Sequence, residues 1–196
     1  MTLGFALYWV YQTSSEGAIL GSIITVNRTE YEILALLGRG KGGYSYLVQR
    51  NYRRYVVKQI HHEPCDYYTF GNKIEAEQRD YIRLLNAGIR MPKMLDIDIS
   101  AERILKEYIE GHTICKLIEL DKMDDRYLLQ VRQMAEQAYS SDLNIDYFPT
   151  NFVVRDGLLY YVDYECNDYM ERWNFENWGI KYWSKTPEFL SYLEQL

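Results

Sequence analysis

Cysteine is scarce in this chain of 196 residues. Cys65, Cys115 and Cys166 are an odd number at wide spacing, which argues against a disulfide framework and for the cytoplasm. Positive charge is in deficit: 22 Lys and Arg stand against 28 Asp and Glu, a formal net charge of −6. Local pairs such as Arg53-Arg54 do not offset that, so no nucleic-acid partner is expected. Long apolar runs are missing as well. Met1 to Tyr11 is only eleven residues, lacks a basic n-region and gives way to Gln12-Thr13-Ser14-Ser15-Glu16-Gly17, so neither a signal peptide nor a membrane span is expected. Of three histidines, His61 and His62 are adjacent and His112 stands alone, and no Ser-His-Asp or Cys-His arrangement is readable. There is no internal repeat or low-complexity segment.

What is present suffices for a buried core. Hydrophobic residues make up 47% of the chain, and its twenty tyrosines read as amphipathic packing residues. Ile23 to Leu37 reads as one or two strands, broken by Gly38-Arg39-Gly40-Lys41-Gly42-Gly43. Two more strands follow, Tyr44–Val48 and Tyr55–Ile60. Lys73 to Asn86 reads as a helix with Ile74, Tyr81, Leu84 and Leu85 on one side, ended by Ala87-Gly88. A hairpin over 94–109 and helices near 113–120 and 125–139 come next, then a small hairpin at Asp156-Gly157. The tail from Tyr169 reads as two helices, the second capped by Thr186 with Pro187 as its first residue. Strands first and helices later give an α+β order. The expected division is an extension over 1–22, a β-rich N-lobe over 23–108 and an abbreviated helical C-lobe over 109–196.

The chemistry concentrates at Asp146-Tyr147-Phe148-Pro149-Thr150-Asn151, with Asp163-Tyr164-Glu165 following twelve residues after Asn151. A carboxylate, an amide five residues on and a second carboxylate after a short turn are what kinase-type phosphotransferases use. The first Asp meets the proton of the attacking hydroxyl, while the Asn and the second Asp hold Mg²⁺ on the nucleotide phosphates. Gly38, Gly40 and Gly43 form G-x-G-x-x-G between two strands, which favours a phosphate-covering flap over a dinucleotide fold; a plain hairpin turn is the alternative. Lys58 ends an apolar strand and needs a counter-charge. Glu77, on the helix face of Ile74, Tyr81 and Leu84, can supply one, unless Lys58 snorkels to water.

These elements, in this order, resemble the protein-kinase-like fold in its small atypical form. Glu77 followed by Leu84, Leu85, Ala87-Gly88-Ile89, Pro92 and Leu95-Asp96-Ile97-Asp98 is similar to the RIO kinases and the KEOPS-complex kinase. Leu105-Lys106-Glu107-Tyr108-Ile109-Glu110-Gly111 resembles their inter-lobe segment, whose backbone holds adenine. The chain also looks like a small bacterial group of serine/threonine kinases. The resemblance runs from about Tyr31 to Glu165. It implies a two-lobed fold that binds ATP through Gly38, Gly40, Gly43, Lys58, Glu107 and Tyr108. Glu77 would fix Lys58, Asp146 would orient the acceptor hydroxyl, and Asn151 and Asp163 would bind Mg²⁺.

The departures from that pattern are specific. Asn144-Ile145 replaces the His-Arg that precedes the catalytic Asp, and Phe148 stands where a Lys or His usually assists the γ-phosphate. Glu165 replaces the glycine of D-F-G, so that Asp163-Tyr164-Glu165 is similar to choline kinases. Only 33 residues follow Asp163, too few for a normal activation segment. The expectation is an ATP- and Mg²⁺-dependent kinase acting on a protein hydroxyl. The rivals are a small-molecule kinase of the choline or aminoglycoside type and a nucleotide-binding pseudokinase. A zinc site at His61, His62 and Cys65 is set aside for a polar connector. An aromatic cage in the tail (Trp173, Phe175, Trp178, Tyr182, Trp183) is weighed against a buried helix carrying Trp173, Ile180 and Trp183 on one stripe.

Overall fold

The computed structural model describes residues 21–40, 42–62 and 71–194. Most of the 1–22 extension, together with Lys41 and Cys65, lies outside them. The fold is α+β and divides into two compact units. The first takes the chain up to Glu77 and then Pro92–Tyr108, and the second takes Gln78–Met91 and everything from Ile109.

The first unit is a six-stranded antiparallel sheet of β1 (Ile23–Val26), β2 (Thr29–Gly40), β3 (Gly43–Arg50), β4 (Arg53–Ile60), β5 (Met94–Asp98) and β6 (Arg103–Glu107), in the order β1-β2-β3-β4-β6-β5. Ile23 to Leu37 becomes two strands because Asn27 and Arg28 both adopt left-handed backbone, φ 45° and 68°. Asn51 and Tyr52 do the same between β3 and β4, at 50° and 60°. Such paired left-handed turns match the right-handed twist of the strands they join. One expectation is corrected here: the glycine segment does not end β2, which continues through Gly38 to Gly40. Gly40 pairs with Gly43, leaving only positions 41 and 42 between the strands. Ile24, Val26, Tyr31, Ile33, Val48, Val57 and Leu105 pack into one cluster. A second comprises Leu37, Leu47 and Val56, with Leu34, Ala35 and Tyr108 against it. Val56 and Val57 fall in different clusters because successive strand residues face opposite sides.

Helix α1 (Lys73–Asn86) begins in the first unit and continues into the second. Gly88, at φ 77°, ends it: the Ile89 N–H reaches Leu84 O at 3.1 Å and the Gly88 N–H reaches Leu85 O at 3.1 Å. Lys73, Ile74, Asp80 and Leu84 are the buried positions, whereas Leu85, expected on that face, is exposed. In the second unit β7 (His112–Thr113), β9 (Phe152–Arg155) and β10 (Leu158–Tyr161) form a three-stranded sheet, while β8 (Leu143–Ile145) pairs with β11 (Cys166–Asp168). Helices α2 (Ile114–Glu119), α3 (Asp125–Ser140) and α4 (Pro187–Leu193) are capped by Thr113, Asp124 and Thr186. Each cap's side-chain oxygen accepts a backbone N–H of the first turn.

The first of the two expected tail helices does not form. Two short 3₁₀ turns, Glu171–Trp173 and Gly179–Tyr182, stand in its place. Asn174 Oδ1 accepts the Asn177 N–H at 2.8 Å, a local bond that competes with helical pairing. The tail aromatics pack instead into the unit's core. Trp183 is buried and donates from Nε1 to Tyr147 O at 2.8 Å, and Phe175 lies edge-on to its ring. Among the described residues no helix is long and apolar enough to cross a membrane.

Candidate functional site

In the first unit, the strand pattern of β4 turns Lys58 inward, where it is 6% exposed. Its ammonium forms an ion pair with Glu77 Oε1. The other carboxylate oxygen of Glu77 is buried and has no hydrogen-bond partner. Glu77 reaches Lys58 because it lies three to four residues from Lys73, Ile74, Asp80 and Tyr81, on the inward stripe of α1. Glu75, one position off that stripe, is exposed.

Gly38, Gly40 and Gly43 share one hairpin. Gly43 has a packing reason to be glycine: a Cβ there would sit 2.4 Å from Gln59 O on β4. The hairpin tip is tied to the end of β4. The His61 ring contacts Gly40 O at 3.0 Å, and its backbone N–H points to Gly42 O at 3.5 Å. The Lys73 ammonium donates to His61 O at 3.3 Å. The hairpin is thus fastened to the end of β4 through His61. Glu107 ends β6 and Tyr108 follows it. The Glu107 carboxylate accepts the Lys93 N–H at 3.3 Å, and Tyr108 packs on the cluster of Leu37, Leu47 and Val56.

The second unit gathers Asp146, Asn151 and Asp163. Asp146 follows β8 and Glu165 precedes β11, and the pairing of Ile145 with Cys166 sets the two acids at one end of that ladder. Asp146 Oδ1 accepts the Phe148 N–H at 3.1 Å, which bends the chain into the turn Pro149–Asn151. Asn151 is 2% exposed, and its amide donates to Asp146 O at 3.4 Å. The Val162 N–H returns to Asn151 O at 2.8 Å, bringing Asp163 alongside. Asp163 Oδ1 accepts the Tyr164 N–H at 2.8 Å.

Tyr161 is the residue that sequence reasoning missed. It is fully buried; its hydroxyl accepts the Asp146 N–H at 3.3 Å and donates to Glu165 O at 2.8 Å. Burial first, and then the carboxylates of Asp163, Asp146 and Glu165, hold its hydroxyl well above the usual tyrosine range. Only the inward phase of β10 hints at Tyr161 in the sequence, and that signal does not separate it from any core tyrosine.

Phe148, named above as a departure from the families that the chain resembles, has a packing role. It is buried against Tyr182, Tyr192 and Trp178, with ring centroids 4.9, 4.6 and 6.4 Å away. The tail thus explains this departure by packing. Gly111 also has a packing reason: a Cβ there would fall 1.9 Å from Val154 O.

Other chemistry finds no support among the described residues. Burial pushes the thiols of Cys115 and Cys166 up to about 12, so neither is a thiolate nucleophile near neutrality. The His62 ring contacts the Glu102 carboxylate at 2.6 Å, and no cluster of three His, Cys, Asp or Glu able to hold a metal is present among the described residues. Asn151, as an amide, falls outside that kind of cluster. Comparison with protein-family models and with curated proteins finds no match.

Proposed function

We propose that this chain is an ATP-dependent phosphotransferase with a two-lobed, protein-kinase-like fold, transferring the γ-phosphoryl group to a hydroxyl, most naturally a serine or threonine of a protein. The observation that carries the reading is the buried Lys58–Glu77 pair beside a glycine hairpin. Burying two charges costs several kcal/mol per ion before their attraction is counted, so such a pair is a poor stabilising device. It is a good way to hold an ammonium rigid for a phosphate.

The donor set of the second unit fits Mg²⁺. The Asn151 amide oxygen and the Asp163 carboxylate are hard oxygen ligands, and the hydrogen bonds to backbone groups described above orient both side chains. Bound there, the ion would neutralise charge on the phosphates. Lys58 would orient the phosphate chain, with Glu77 restraining it. Asp146 would accept the proton of the attacking hydroxyl as the new P–O bond forms and the β–γ bridging P–O bond breaks, releasing ADP. Glu107 and Tyr108 would offer backbone groups to the adenine. A specific feature favours the small-molecule alternative: Asp163-Tyr164-Glu165 has the Asp-aromatic-Glu form of choline-type kinases.

Calorimetry with ATP and Mg²⁺ tests the reading. Wild type should bind, and Lys58→Met and Asp163→Ala should each lose affinity by roughly tenfold or more, as for a lost charge-assisted contact. Undiminished affinity in both variants would place the nucleotide elsewhere.

A further inference from the structure

We infer that the tip of the β3–β4 hairpin, with Arg50, Tyr52 and Arg53, is a docking surface for an acidic segment of a partner protein. The surface lies wholly within the first unit and stands apart from the phosphotransferase reading.

Two features of this turn cost stability where a plain turn would not. Arg50 and Arg53 are directly opposite each other across the hairpin, so both guanidiniums leave the same face of the sheet. Like charges in that position repel. Tyr52 takes the second central position of the turn at φ 60°, left-handed backbone that a bulky side chain adopts at a cost. The β9–β10 turn of the same chain has Gly157 in the equivalent position, at φ 75°. Packing does not offset the cost at Tyr52, which is 97% exposed, and both arginines are exposed beside it.

A third cation stands nearby. The antiparallel order β1-β2-β3-β4 puts the β1–β2 turn at the same end of the sheet, and its second central residue is the exposed Arg28, at φ 68°. None of Arg28, Arg50 and Arg53 takes part in an ion pair among the described residues. The acids of the neighbouring strand are turned away. Tyr31 packs with Val48 and Val57, on the face shared by Arg50 and Arg53, so Glu30 and Glu32 on either side of it point to the opposite face. Arg54, opposite Gln49, also belongs to that other face and is not part of the patch.

The chemistry of the patch selects its partner. Guanidiniums bind carboxylates through two parallel N–H donors, and an exposed tyrosine between them is the kind of anchor on which interfaces concentrate their energy. The chain's net charge of −6 limits the length of the anion. A long polyanion such as RNA would gain three arginines here and meet an acidic protein beyond them, whereas a short acidic segment needs the turn alone.

The test is fluorescence anisotropy on the full chain with a labelled ten-residue peptide of glutamates around one central leucine. Wild type should bind it at low salt, with affinity falling as salt is raised. Arg50→Gln combined with Arg53→Gln should weaken binding by about tenfold or more, and Tyr52→Gly by about threefold or more. The urea midpoint of these variants should hold or rise, because the repulsion and the left-handed tyrosine are gone. Failure of the wild type to bind the peptide, or equal binding by the variants, overturns the proposal. Tighter binding of a ten-nucleotide oligouridine at the same salt would make the patch a nucleic-acid surface and overturns the assignment to an acidic protein segment. A lowered urea midpoint in the variants would give these residues a role in the fold and overturn the proposal as well.

Discussion

The Lys58–Glu77 pair makes a prediction in which stability and function move apart. The perturbation is a mutant cycle: Lys58→Met, Glu77→Leu and the double variant. Lys58→Met leaves the Glu77 carboxylate without its ion pair, and one of its oxygens is already buried without a partner. Breaking a fully buried pair costs about 3–5 kcal/mol. These side chains are 8% and 14% exposed, so solvent recovers part of that, and a loss of roughly 2–4 kcal/mol is expected. The double variant removes both charges and fits two apolar side chains into the same space. It should return to within about 1 kcal/mol of wild type, as buried pairs replaced by hydrophobic residues commonly do. Nucleotide binding should not return, because Lys58 itself is gone. Urea unfolding followed by far-UV circular dichroism is the assay. Among the described residues Trp173, Trp178 and Trp183 all belong to the second unit, so their emission would not report the first directly. A double variant as unstable as the sum of the singles would refute the coupling. A double variant that still binds Mg·ATP like wild type would make the pair a structural feature and remove the main support for the proposed function.

The remaining predictions concern the second unit and the sheet edge. Asp146→Asn should keep Mg·ATP affinity but lower single-turnover transfer by about 10²–10⁴-fold, because accepting the hydroxyl proton is a transition-state role; equal rates would remove Asp146 from the mechanism. Tyr161→Phe leaves the Asp146 N–H and Glu165 O without the hydroxyl they share, and should cost about 1–3 kcal/mol in unfolding free energy as well as slowing transfer; an unchanged urea midpoint would refute the first part. At the sheet edge, Asp98 accepts the Ala101 N–H, the Asn27 N–H and the Ser100 hydroxyl at 2.8–2.9 Å. These bonds, led by that from Ala101, hold its carboxyl below the usual range, so the stabilisation is present above about pH 3.9 and lost as pH falls through the lower folded value. Asp98→Asn should therefore be less stable than wild type at pH 7 by about 1–3 kcal/mol, with the gap closing below about pH 3.9; a gap independent of pH would argue against a charged role.

The sequence by itself determined the local elements, because local rules set them. Alternating apolar residues specify β3, β4 and β6; Asp156-Gly157 specifies the turn between β9 and β10; Thr186-Pro187 starts α4; and Ala87-Gly88 ends α1. The Lys58–Glu77 pair was legible for the same reason, since strand and helix phases alone turn both side chains inward. The tertiary structure decided what depends on non-local packing. Gly43 and Gly111 are glycine because β4 and β9 backbone lies against them, and no spacing in the sequence conveys that. The tail aromatics fit a helical stripe on paper, yet burying Phe175 and Trp183 against Tyr147 and Phe152 released the chain from helix into 3₁₀ turns. Tyr161 and Lys73 likewise emerged only from folding. A tyrosine in a strand and a lysine at a helix start are ordinary in sequence, and only folding places the one between the backbone of Asp146 and that of Glu165 and the other at a glycine hairpin.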